Sequence, residues 1–332
     1  MAAVSVIIPL YNKQRYIQRA LDSVFAQTYQ DYEVLVVDDG STDNGADIVQ
    51  RCNHSGVRLI RQANAGPGAA RNRGIRQSSN PYIAFLDADD EWLPAFLEVS
   101  MNHLQTHSGC ALSATGHMRG KDKKLCREVG LLQITEGPYR LPPDMDVNKM
   151  VYMVGFVHSG GTVLCRREIL EQFGGFYEKG CTWGEDMYLW LRVLLCCRIY
   201  TDPTPLTWYH CENSQLDTDG RNFLKPLTPV LTDPEPIRRV CPEEYRELLE
   251  LYMARLALGP AHVCACDRDS ETVDYLLRTF PMIKAWRVEC AKLKLKRKFP
   301  GLIPYVRRLK NPGGRKGKEF TCSNSGTICK AE

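Results

Sequence analysis

The sequence predicts an α/β fold: a mainly parallel, Rossmann-like sheet with helices on both faces, followed by a mostly helical C-terminal extension. Three observations support this class. Four short apolar runs, typical of buried strands, alternate with four segments of helical periodicity in residues 1–107. The connections between them are only a few residues long, which is typical of parallel βαβ units. From residue 243 to residue 298 the pattern is mostly helical.

The first strand and helix are predicted from the spacing of apolar side chains. Residues 4–8 are apolar and end at Pro9, and Ile17, Leu21 and Val24 then recur on one helix face. Asn12 is the predicted N-cap of this helix. The same reasoning predicts strands at residues 33–37, 57–60 and 82–86, and helices at residues 46–52, 67–77 and 92–106.

The second half of the chain is less regular. Residues 118–150 are polar and contain three prolines, which predicts a long excursion. The elements predicted after it are a strand at 161–165, a helix at 166–173, a turn at Gly174-Gly175 and a helix at 185–196. Residues 311–332 are rich in Gly, Lys and Ser and are predicted to be disordered.

The composition is that of a globular protein with its own core: of 332 residues, 44% are hydrophobic and 25% are charged. No apolar run reaches the roughly 20 residues of a membrane-spanning helix. The N-terminus lacks a basic leader, so we expect no signal peptide. The 14 cysteines are scattered without a C-x2-C pair. No zinc motif is therefore predicted, and free thiols in a reducing cytoplasm are expected.

A strongly basic segment lies near the C-terminus. Residues 284–318 hold 13 Lys or Arg and one acid, so they carry +12 of a chain whose net charge is +4, and the remainder carries −8. Basic segments with interleaved apolar residues can lie on anionic lipid. A solvated charged helix explains the pattern equally well, because Leu293 and Leu295 are two residues apart and not on one helix face. No nucleic-acid-binding motif accompanies the charge, and no nucleic acid is expected.

Each of the four predicted strands is followed by a charged, polar or glycine-rich loop. These loops are Pro9-Leu10-Tyr11-Asn12, Asp38-Asp39-Gly40-Ser41, residues 65–72 and Asp87-Ala88-Asp89-Asp90. In open α/β sheets, ligands bind beyond the carboxyl ends of parallel strands. We therefore expect the four loops to meet at one rim of the sheet and to line a ligand site.

The acidic loop favours a metal ion. Asp87, Asp89 and Asp90 would repel one another strongly unless a cation lay among them. Hard oxygen ligands suit Mg²⁺ or Mn²⁺, which commonly bridge protein carboxylates to substrate phosphates. A solvated turn that caps the next helix is the alternative.

The glycine-rich loop resembles a dinucleotide-binding fingerprint but departs from it. Arg71 stands where the third glycine belongs, and the loop follows the third strand rather than the first. A nicotinamide cofactor is therefore not expected. The glycines can instead bring backbone close to a ligand, with Arg71 facing a phosphate. An ordinary loop with a solvated arginine is the alternative.

Six segments together resemble those of a known enzyme family. They are VSVIIPLYN (4–12), YEVLVVDDGSTD (32–43), NAGPGAARNRGI (64–75), YIAFLDADDEW (82–92), GGF (174–176) and GEDMYLWLRVL (184–194). In order and spacing the chain resembles the family-2 glycosyltransferases, which are inverting, nucleotide-sugar-dependent enzymes with the GT-A fold. The resemblance is dense over residues 1–107 and thinner up to about residue 215.

The resemblance implies a domain organisation. Residues 1–215 would form the GT-A domain, with a nucleotide-sugar-binding half at 1–107 and an acceptor half at 108–215. A helical, basic extension would follow at 216–310, before the disordered tail.

The resemblance also assigns residues to the donor nucleotide. Asp39 would hydrogen-bond a ring N–H of the base, and Pro9 and Tyr11 would form the wall beside it. Asn12 and Ala88 would also line the nucleotide site.

Further assignments concern the diphosphate and its metal. Asp89 would ligate Mn²⁺ or Mg²⁺ on the diphosphate, and Asp87 would contact the ribose or the metal with its water shell. Arg71 would face the donor phosphates or the sugar. His210 resembles a position that some relatives use as a further metal ligand, although a structural histidine explains it as well.

Asp186 would be the catalytic base. In a single displacement, a base removes the proton of the acceptor hydroxyl, which attacks the sugar from the face opposite the leaving nucleotide. The alternative for Glu185-Asp186 is an acidic first helical turn favoured by the helix dipole. Trp183 and His158 could line the acceptor pocket or simply pack in the interior.

These assignments predict a transferase that moves a sugar, from a UDP-sugar above others, to a glycan or lipid-linked hydroxyl in cell-surface polysaccharide or lipopolysaccharide synthesis. The expected location is cytoplasmic, peripheral at the inner face of the membrane through residues 284–318. Two alternatives stay open: a pseudoenzyme that binds nucleotide sugar without transfer, and a sugar nucleotidyltransferase. The latter usually carries a Gly-rich phosphate loop after its first strand, where this chain has Pro9-Leu10-Tyr11-Asn12-Lys13.

Overall fold

One mixed sheet organises the part of the chain that the computed structural model describes, residues 4–299 apart from 53, 55, 159, 182 and 211–226. Its strands are β1 Val4–Leu10, β2 Tyr32–Asp38, β3 Val57–Arg61, β4 Tyr82–Phe85, β5 Glu91–Trp92, β6 Cys110–Arg119, β7 Lys124–Leu125, β8 Gly137–Tyr139, β9 Val163–Arg166 and β10 Arg198–Tyr209. The strand order is β3-β2-β1-β4-β9-β6-β10-β5, with β7 paired to β6 and β8 paired to β10.

The helices connect and cover these strands. They are α1 Ile17–Phe25, α2 Gly45–Arg51, α3 Pro67–Gln77, α4 Phe96–Thr106, α5 Arg127–Leu132, α6 Val147–Phe156, α7 Arg167–Gln172, α8 Glu185–Cys196, α9 Pro229–Thr232, α10 Glu235–Val240, α11 Arg246–Cys266, α12 Ser270–Thr279 and α13 Arg287–Lys298. Two 3₁₀ turns lie at Glu243–Tyr245 and Pro281–Ala285.

The first four parallel strands are those that the sequence predicts. Strand β1 pairs in parallel with β2 and β4, and β2 pairs in parallel with β3. Beyond β4 the sheet becomes mixed, because β9 runs antiparallel to both β4 and β6. The carboxyl ends of the parallel strands therefore share one edge.

Side chains that alternate along the strands build a core on each face of the sheet. In β4, Ile83 and Phe85 face one core, while Tyr82 and Ala84 face the other. Helices α1, α2 and α4 cover the second of these faces. Helices α3, α6, α8 and the C-terminal helices α11 to α13 cover the first. The predicted α/β class with helices on both faces and a helical C-terminal region is confirmed.

The C-terminal helices share a core with the sheet domain. Buried side chains of α11, among them Tyr252 and Met253, belong to the same cluster as Trp190 of α8. Each large side chain of this kind contributes about 1.5–3 kcal/mol when it is fully buried. The predicted boundary at residue 215, like the tail at 311–332, lies outside the described residues.

The helix predicted at residues 92–106 begins later than expected. Helix α4 starts at Phe96, and Trp92 instead belongs to β5, which pairs antiparallel with β10. Pro94 explains the difference, because a proline disfavours helical backbone at the residue before it. Trp92 is buried, and its Nε1 donates to the carbonyl oxygen of Gly161 at 2.6 Å.

Asn12 is not a helix N-cap, which corrects the sequence prediction. Helix α1 begins at Ile17, and its N-cap position is Tyr16. Asn12 takes the left-handed conformation with φ 51°. Its side-chain oxygen accepts the backbone N–H of Thr42 at 2.8 Å. The residue therefore joins the loop after β1 to the loop after β2.

The polar excursion and the segment after α8 contain more structure than the sequence predicts. Residues 118–150 include β7, α5, β8 and the start of α6. Strand β10 was not predicted, because Pro203 and Pro205 interrupt its pattern, and β-bulges interrupt its pairing with β6 at those positions. Among the described helices, none combines the length and apolar character that crossing a membrane requires.

Candidate active site

The loops that follow the parallel strands meet at the rim, as their placement predicts. The Lys13 ammonium lies 2.5 Å from Asp89 Oδ2, which joins the loop after β1 to the loop after β4. Arg71 NH2 lies 2.7 Å from Asp87 Oδ1, which joins α3 to the same acidic loop. The backbone N–H of Ala65 donates to Asp39 Oδ1 at 2.9 Å, which joins the loops after β2 and β3.

Asp39 organises the glycine-rich loop. Its buried carboxylate accepts hydrogen bonds from Gln62 Nε2 and from the backbone N–H groups of Ala65 and Gly66, at 2.8–2.9 Å. A carboxylate oxygen can accept two hydrogen bonds. Oδ2, which accepts from Gly66, therefore retains capacity for a ring N–H of a base. The base-binding role of Asp39 stays a prediction.

The residues around Asp39 shape the rest of this loop pair. Asp38 Oδ1 accepts the Ser41 N–H at 3.0 Å, so Asp38 braces the turn. Gly40 has φ 76°, and a Cβ there would lie 2.9 Å from the Asn64 backbone nitrogen. Tyr11 is 42% exposed at the same rim. Its predicted contact with a base, like that of Pro9, stays a prediction.

Arg71 is a buried bridge between three elements. It is 4% exposed. Its NH1 lies 2.6 Å from Glu185 Oε1, and its NH2 lies 2.7 Å from Asp87 Oδ1. Burial disfavours its charge, but the carboxylates of Asp87 and Glu185 outweigh burial, so the pKa of Arg71 is raised. The predicted contact with a donor phosphate stays a prediction, because the guanidinium is paired with two carboxylates.

Helix α8 places Glu185 and Asp186 in different environments. Gly184, with φ 81°, turns the chain into the helix. Glu185 is buried, and its pKa is raised by burial and by Asp186 against the opposing charge of Arg71. Asp186 is half-buried, and its Oδ1 accepts the N–H of Met187 at 2.7 Å. Glu185 is therefore a structural partner of Arg71, and Asp186 is the more exposed acid of this pair; its role as the catalytic base stays a prediction.

Close backbone packing holds α3 against α8 and the glycine turn. A Cβ on Gly68 would lie 2.3 Å from the carbonyl oxygen of Tyr177. Asn72 donates to the Phe176 carbonyl oxygen at 2.8 Å and accepts the Phe176 N–H at 2.9 Å. Phe176 in turn packs edge-on against Phe85 of β4, with ring centroids 5.0 Å apart. The GGF segment (174–176) therefore connects helix α3, which carries Arg71, to strand β4 of the sheet.

The acidic loop has the donor set of a divalent-cation site. The pKa of Asp89 is raised by burial, with Lys13 opposing and Asp87 adding to the effect. The pKa of Asp90 is raised well above its usual value by burial and by Asp89 and Asp87. Asp90 Oδ2 is buried without a hydrogen-bond partner in the described part of the chain. A cation among these hard oxygen donors would relieve their repulsion, so the residues fit Mg²⁺ or Mn²⁺.

Not every member of the acidic loop presents a side chain to a ligand. Ala88 is 3% exposed and packs in the core of the second face. Its predicted part in nucleotide binding, which is untested, would fall to its backbone. We call Asp87, Asp89 and Glu185, with their partners Lys13 and Arg71, the rim cluster.

His210 lies beside the acidic loop. Its backbone N–H donates to Asp90 Oδ1 at 2.9 Å, and its Nε2 lies 2.7 Å from Glu91 Oε1. The ring packs against that of Trp208, with centroids 4.2 Å apart. These contacts place His210 near the predicted metal ligands, and its own role as a ligand stays a prediction.

Sequence reasoning missed the three basic–acidic pairings of the rim cluster. Lys13 follows the first strand, which neighbours the strand before Asp89, so a signal for their pairing was present in the strand order. Glu185 had no such signal, because its partner Arg71 lies 114 positions away.

His158 lies close to the acids of the rim. Its Nδ1 accepts the Gly160 N–H at 3.1 Å. Burial lowers its pKa, while the charges of Asp186 and Asp87 oppose that effect. The ring therefore lies within the electrostatic reach of both acids, and its contact with an acceptor stays a prediction.

Comparison of the chain with known proteins identifies its relatives. The profile of the family described as Glycosyl transferase family 2 matches residues 5–174. An uncharacterised glycosyltransferase of Nostoc is 44% identical over 106 residues, which cover 31% of this chain and 33% of that relative. The match thus spans about a third of that relative's length.

A longer match is found in Escherichia coli. The UDP-Glc:alpha-D-GlcNAc-diphosphoundecaprenol beta-1,3-glucosyltransferase WfgD is 30% identical over 193 residues, which cover 58% of this chain and 69% of that protein. Among solved structures, Staphylococcus aureus TarS 1–349 in complex with UDP superposes with a TM-score of 0.57 at 18% identity, covering 96% of this chain and 94% of that one. At that identity the likeness shows the fold alone.

Proposed function

The chain belongs to glycosyltransferase family 2, and we propose that it transfers a sugar from a UDP-sugar to a hydroxyl group of a glycan or lipid-linked acceptor, with inversion. One observation carries the proposal. Arg71 joins Asp87 of the acidic loop to Glu185, the neighbour of Asp186, through contacts of 2.6–2.7 Å. The site for the diphosphate and the proposed base are thus tied together by one buried cation.

In the proposed reaction, Asp186 accepts the proton of the acceptor hydroxyl. The hydroxyl oxygen forms a bond to the anomeric carbon while the bond from that carbon to the diphosphate oxygen breaks, and UDP leaves. Asp186 needs a fixed orientation for this step, and the buried Glu185–Arg71 pair supports the helix turn that carries it. No covalent intermediate is required.

The donor would lie over the four rim loops. Asp39 would bind the base between Pro9 and Tyr11, with Asn12 and Ala88 lining the same site. A Mn²⁺ or Mg²⁺ ion held by Asp89 and Asp87, with His210 as a further ligand, would offset the negative charge of the leaving diphosphate when bound.

A basic pocket supports an anionic acceptor. The hairpin of β6 and β7 and the start of α5 border a pocket of about 370 Å³ that is open to solvent. The residues that line this pocket are Arg119, Gly120, Lys121, Asp122, Lys124, Leu125 and Arg127. Four of them are basic and one is acidic, which suits the diphosphate of a lipid-linked glycan. A role in cell-surface polysaccharide synthesis follows from an acceptor of this kind.

Helix α13 supports a peripheral position at the inner face of the membrane. Val288 and Leu295 are 67% and 46% exposed, and their spacing of seven residues places them on one face of the helix. Phe299, which follows the helix directly, is 47% exposed. Leu293, by contrast, is buried in the core. Flanking Lys and Arg side chains would add attraction to anionic lipid. We place the enzyme in the cytoplasm on this basis.

Two substitutions test the transferase proposal. Asp186→Asn should abolish transfer but leave donor binding intact, because it removes only the base. Asp89→Ala should abolish transfer and also weaken Mn²⁺-dependent UDP binding. Both are measured by UDP release with a panel of UDP-sugars and by calorimetric UDP titration.

A matched control distinguishes loss of the catalytic base from loss of a favourable interaction between an acidic side chain and the helix dipole. Glu168 lies in the first turn of α7, as Asp186 lies in the first turn of α8, so Glu168→Gln removes a comparable dipole interaction. It should leave turnover unchanged. Near-normal turnover in Asp186→Asn would exclude this residue as the base.

Release of pyrophosphate from a nucleoside triphosphate and a sugar phosphate would instead support a nucleotidyltransferase.

A further inference from the structure

The hairpin of β6 and β7 brings a histidine opposite a cysteine. Met118 pairs with Leu125 in this antiparallel ladder, so the next pair inward is His117 and Cys126. The Cys126 N–H donates to the His117 carbonyl oxygen at 2.8 Å, which continues the ladder. Paired residues of adjacent strands present their side chains on the same face. The two side chains are therefore neighbours.

Helix α5 adds a carboxylate to this pair. Cys126 is the N-cap residue of α5, and Glu128 lies in its first turn. Potential ligand atoms of His117, Cys126 and Glu128 all lie within 4.8 Å of one another. These three residues, the hairpin cluster, are 4%, 2% and 7% exposed.

Two polar atoms of the hairpin cluster are buried without partners. Across the described residues, neither Nδ1 of His117 nor Oε2 of Glu128 has a hydrogen bond. The other oxygen of Glu128 lies 3.3 Å from Arg127 Nε, so the protein accounts for one oxygen only. Buried polar atoms normally have a partner, because burial removes their bonds to water. The cluster is therefore incomplete as a set of protein contacts.

The chemistry of the three side chains identifies the missing partner. A neutral imidazole binds metals through a ring nitrogen, and Nδ1 of His117 is buried without a partner among the described residues. A thiolate and a carboxylate would balance a charge of +2. Nitrogen, sulfur and oxygen ligands together suit Zn²⁺, whereas Mg²⁺ and Mn²⁺ prefer oxygen alone.

We propose that His117, Cys126 and Glu128 bind a Zn²⁺ ion, with a solvent oxygen as the fourth ligand. Tetrahedral coordination at the usual bond lengths places ligand atoms roughly 3.3–3.8 Å apart, so small side-chain movements complete the site. The proton of Cys126 is released to solvent when the ion binds. This site is separate from the rim cluster and does not depend on the proposed reaction.

The ion would fix the hairpin relative to the catalytic acids. His117 packs edge-on against His158, with ring centroids 4.9 Å apart. His158 lies within the electrostatic reach of Asp186 and Asp87. Zinc therefore joins β6 to the start of α5. It also fixes the ring of His117, which packs against His158.

Metal content of the full chain tests this site. The protein and its Asp89→Asn variant, which weakens the rim site, are incubated with Zn²⁺, passed through a desalting column and measured by mass spectrometry for zinc. We expect one zinc per chain in both. Cys126→Ser should lower zinc affinity by at least about 10–100-fold, since loss of even an outer-sphere contact costs that much.

The control is Cys110→Ser, because Cys110 is also a buried cysteine but lies at the start of β6, outside the hairpin cluster. It should retain zinc. Absence of zinc from the wild-type protein, equal binding by Cys126→Ser, or loss of zinc in Asp89→Asn would each overturn the proposal. If Cys126→Ser does not fold, Co²⁺ in the wild-type protein decides. A thiolate-to-cobalt charge-transfer band supports the site, and an octahedral spectrum without that band excludes it.

Discussion

The rim cluster and the hairpin cluster are both largely removed from solvent, but they differ in how their carboxylates are neutralised. At the rim, Lys13 pairs with Asp89, and Arg71 pairs with Asp87 and Glu185. In the hairpin, Glu128 retains a buried oxygen without a partner among the described residues.

The difference indicates two ways to prepare a cation site. At the rim, the protein's own cations hold the acids in place before a ligand arrives, which costs desolvation but fixes geometry. In the hairpin, geometry is set by backbone pairing, Arg127 contacts only one oxygen of Glu128, and an external cation would supply the partner of the other. The predictions below remove a cation from the rim cluster, remove zinc from the hairpin cluster, or remove the charge of Asp39 in the neighbouring loops.

The largest effect is expected at Arg71. Arg71→Ala leaves two buried or half-buried carboxylates without their cation, so the free energy of unfolding should fall by about 3–5 kcal/mol. Urea denaturation at neutral pH measures this loss. Transfer activity should also disappear, because the turn that carries Asp186 loses its brace.

Arg76→Ala on the same helix is the matched control. Arg76 is 57% exposed and lies 3.2 Å from Glu178, which is 43% exposed. Exposed pairs of this kind contribute about 0–1 kcal/mol. Equal losses in the two variants would show that burial of the Arg71 pairs does not govern the stability of the rim.

Zinc removal should have the next largest effect. If the hairpin cluster binds zinc, an excess of 100-fold over the dissociation constant stabilises the folded chain by about 2.7 kcal/mol. The melting temperature measured by calorimetry should therefore fall after chelation and recover with Zn²⁺. Cys126→Ser should not respond, whereas Cys110→Ser should. A response to zinc that survives in Cys126→Ser would locate the effect elsewhere.

A smaller effect is expected at Asp39. Asp39→Asn keeps one acceptor oxygen but loses the charge that three donors of residues 62–66 share, so stability should fall by about 1–2 kcal/mol. UDP binding should weaken further, because the loop and the proposed base contact change together. Asp47→Asn is the control, since Asp47 and its partner Arg61 are both 58% exposed. A loss of stability with unchanged UDP affinity would show that Asp39 stabilises the loop but does not bind the base.

The first half of the fold could be predicted from sequence because its signals are local. Helix α3 spans the predicted residues 67–77, where Gly66 precedes the helix and Pro67 begins it. In the second half, α8 spans the predicted residues 185–196 for the same local reason, because Gly184 precedes an apolar helix. Strand β10 could not be predicted, because Pro203 and Pro205 interrupt its alternation of apolar and polar residues. Hydrogen bonds to β6, which is distant in sequence, stabilise it as a strand. The two residues of β5 are too few to carry a pattern of their own.

The candidate site divides in the same way. Strand ends placed Asp39, Asp87 and Asp89 at one rim without knowledge of any contact. The hairpin cluster was not predicted, because His117, Cys126 and Glu128 match no spacing of a known metal motif. Only the register of β6 with β7 reveals it, and register depends on pairing energies summed over the whole sheet.

The sequence by itself determined the family, the parallel strands and the rim where their loops meet, because periodicity, glycines and acidic loops are properties of neighbouring residues. The tertiary structure alone decided that Arg71 bridges two carboxylates, that Asn12 joins two loops and that Glu185 is buried while Asp186 is not. These features depend on residues far apart in the chain, and the physical reason is burial. The partner of a charge removed from water is decided by packing, which no local pattern encodes.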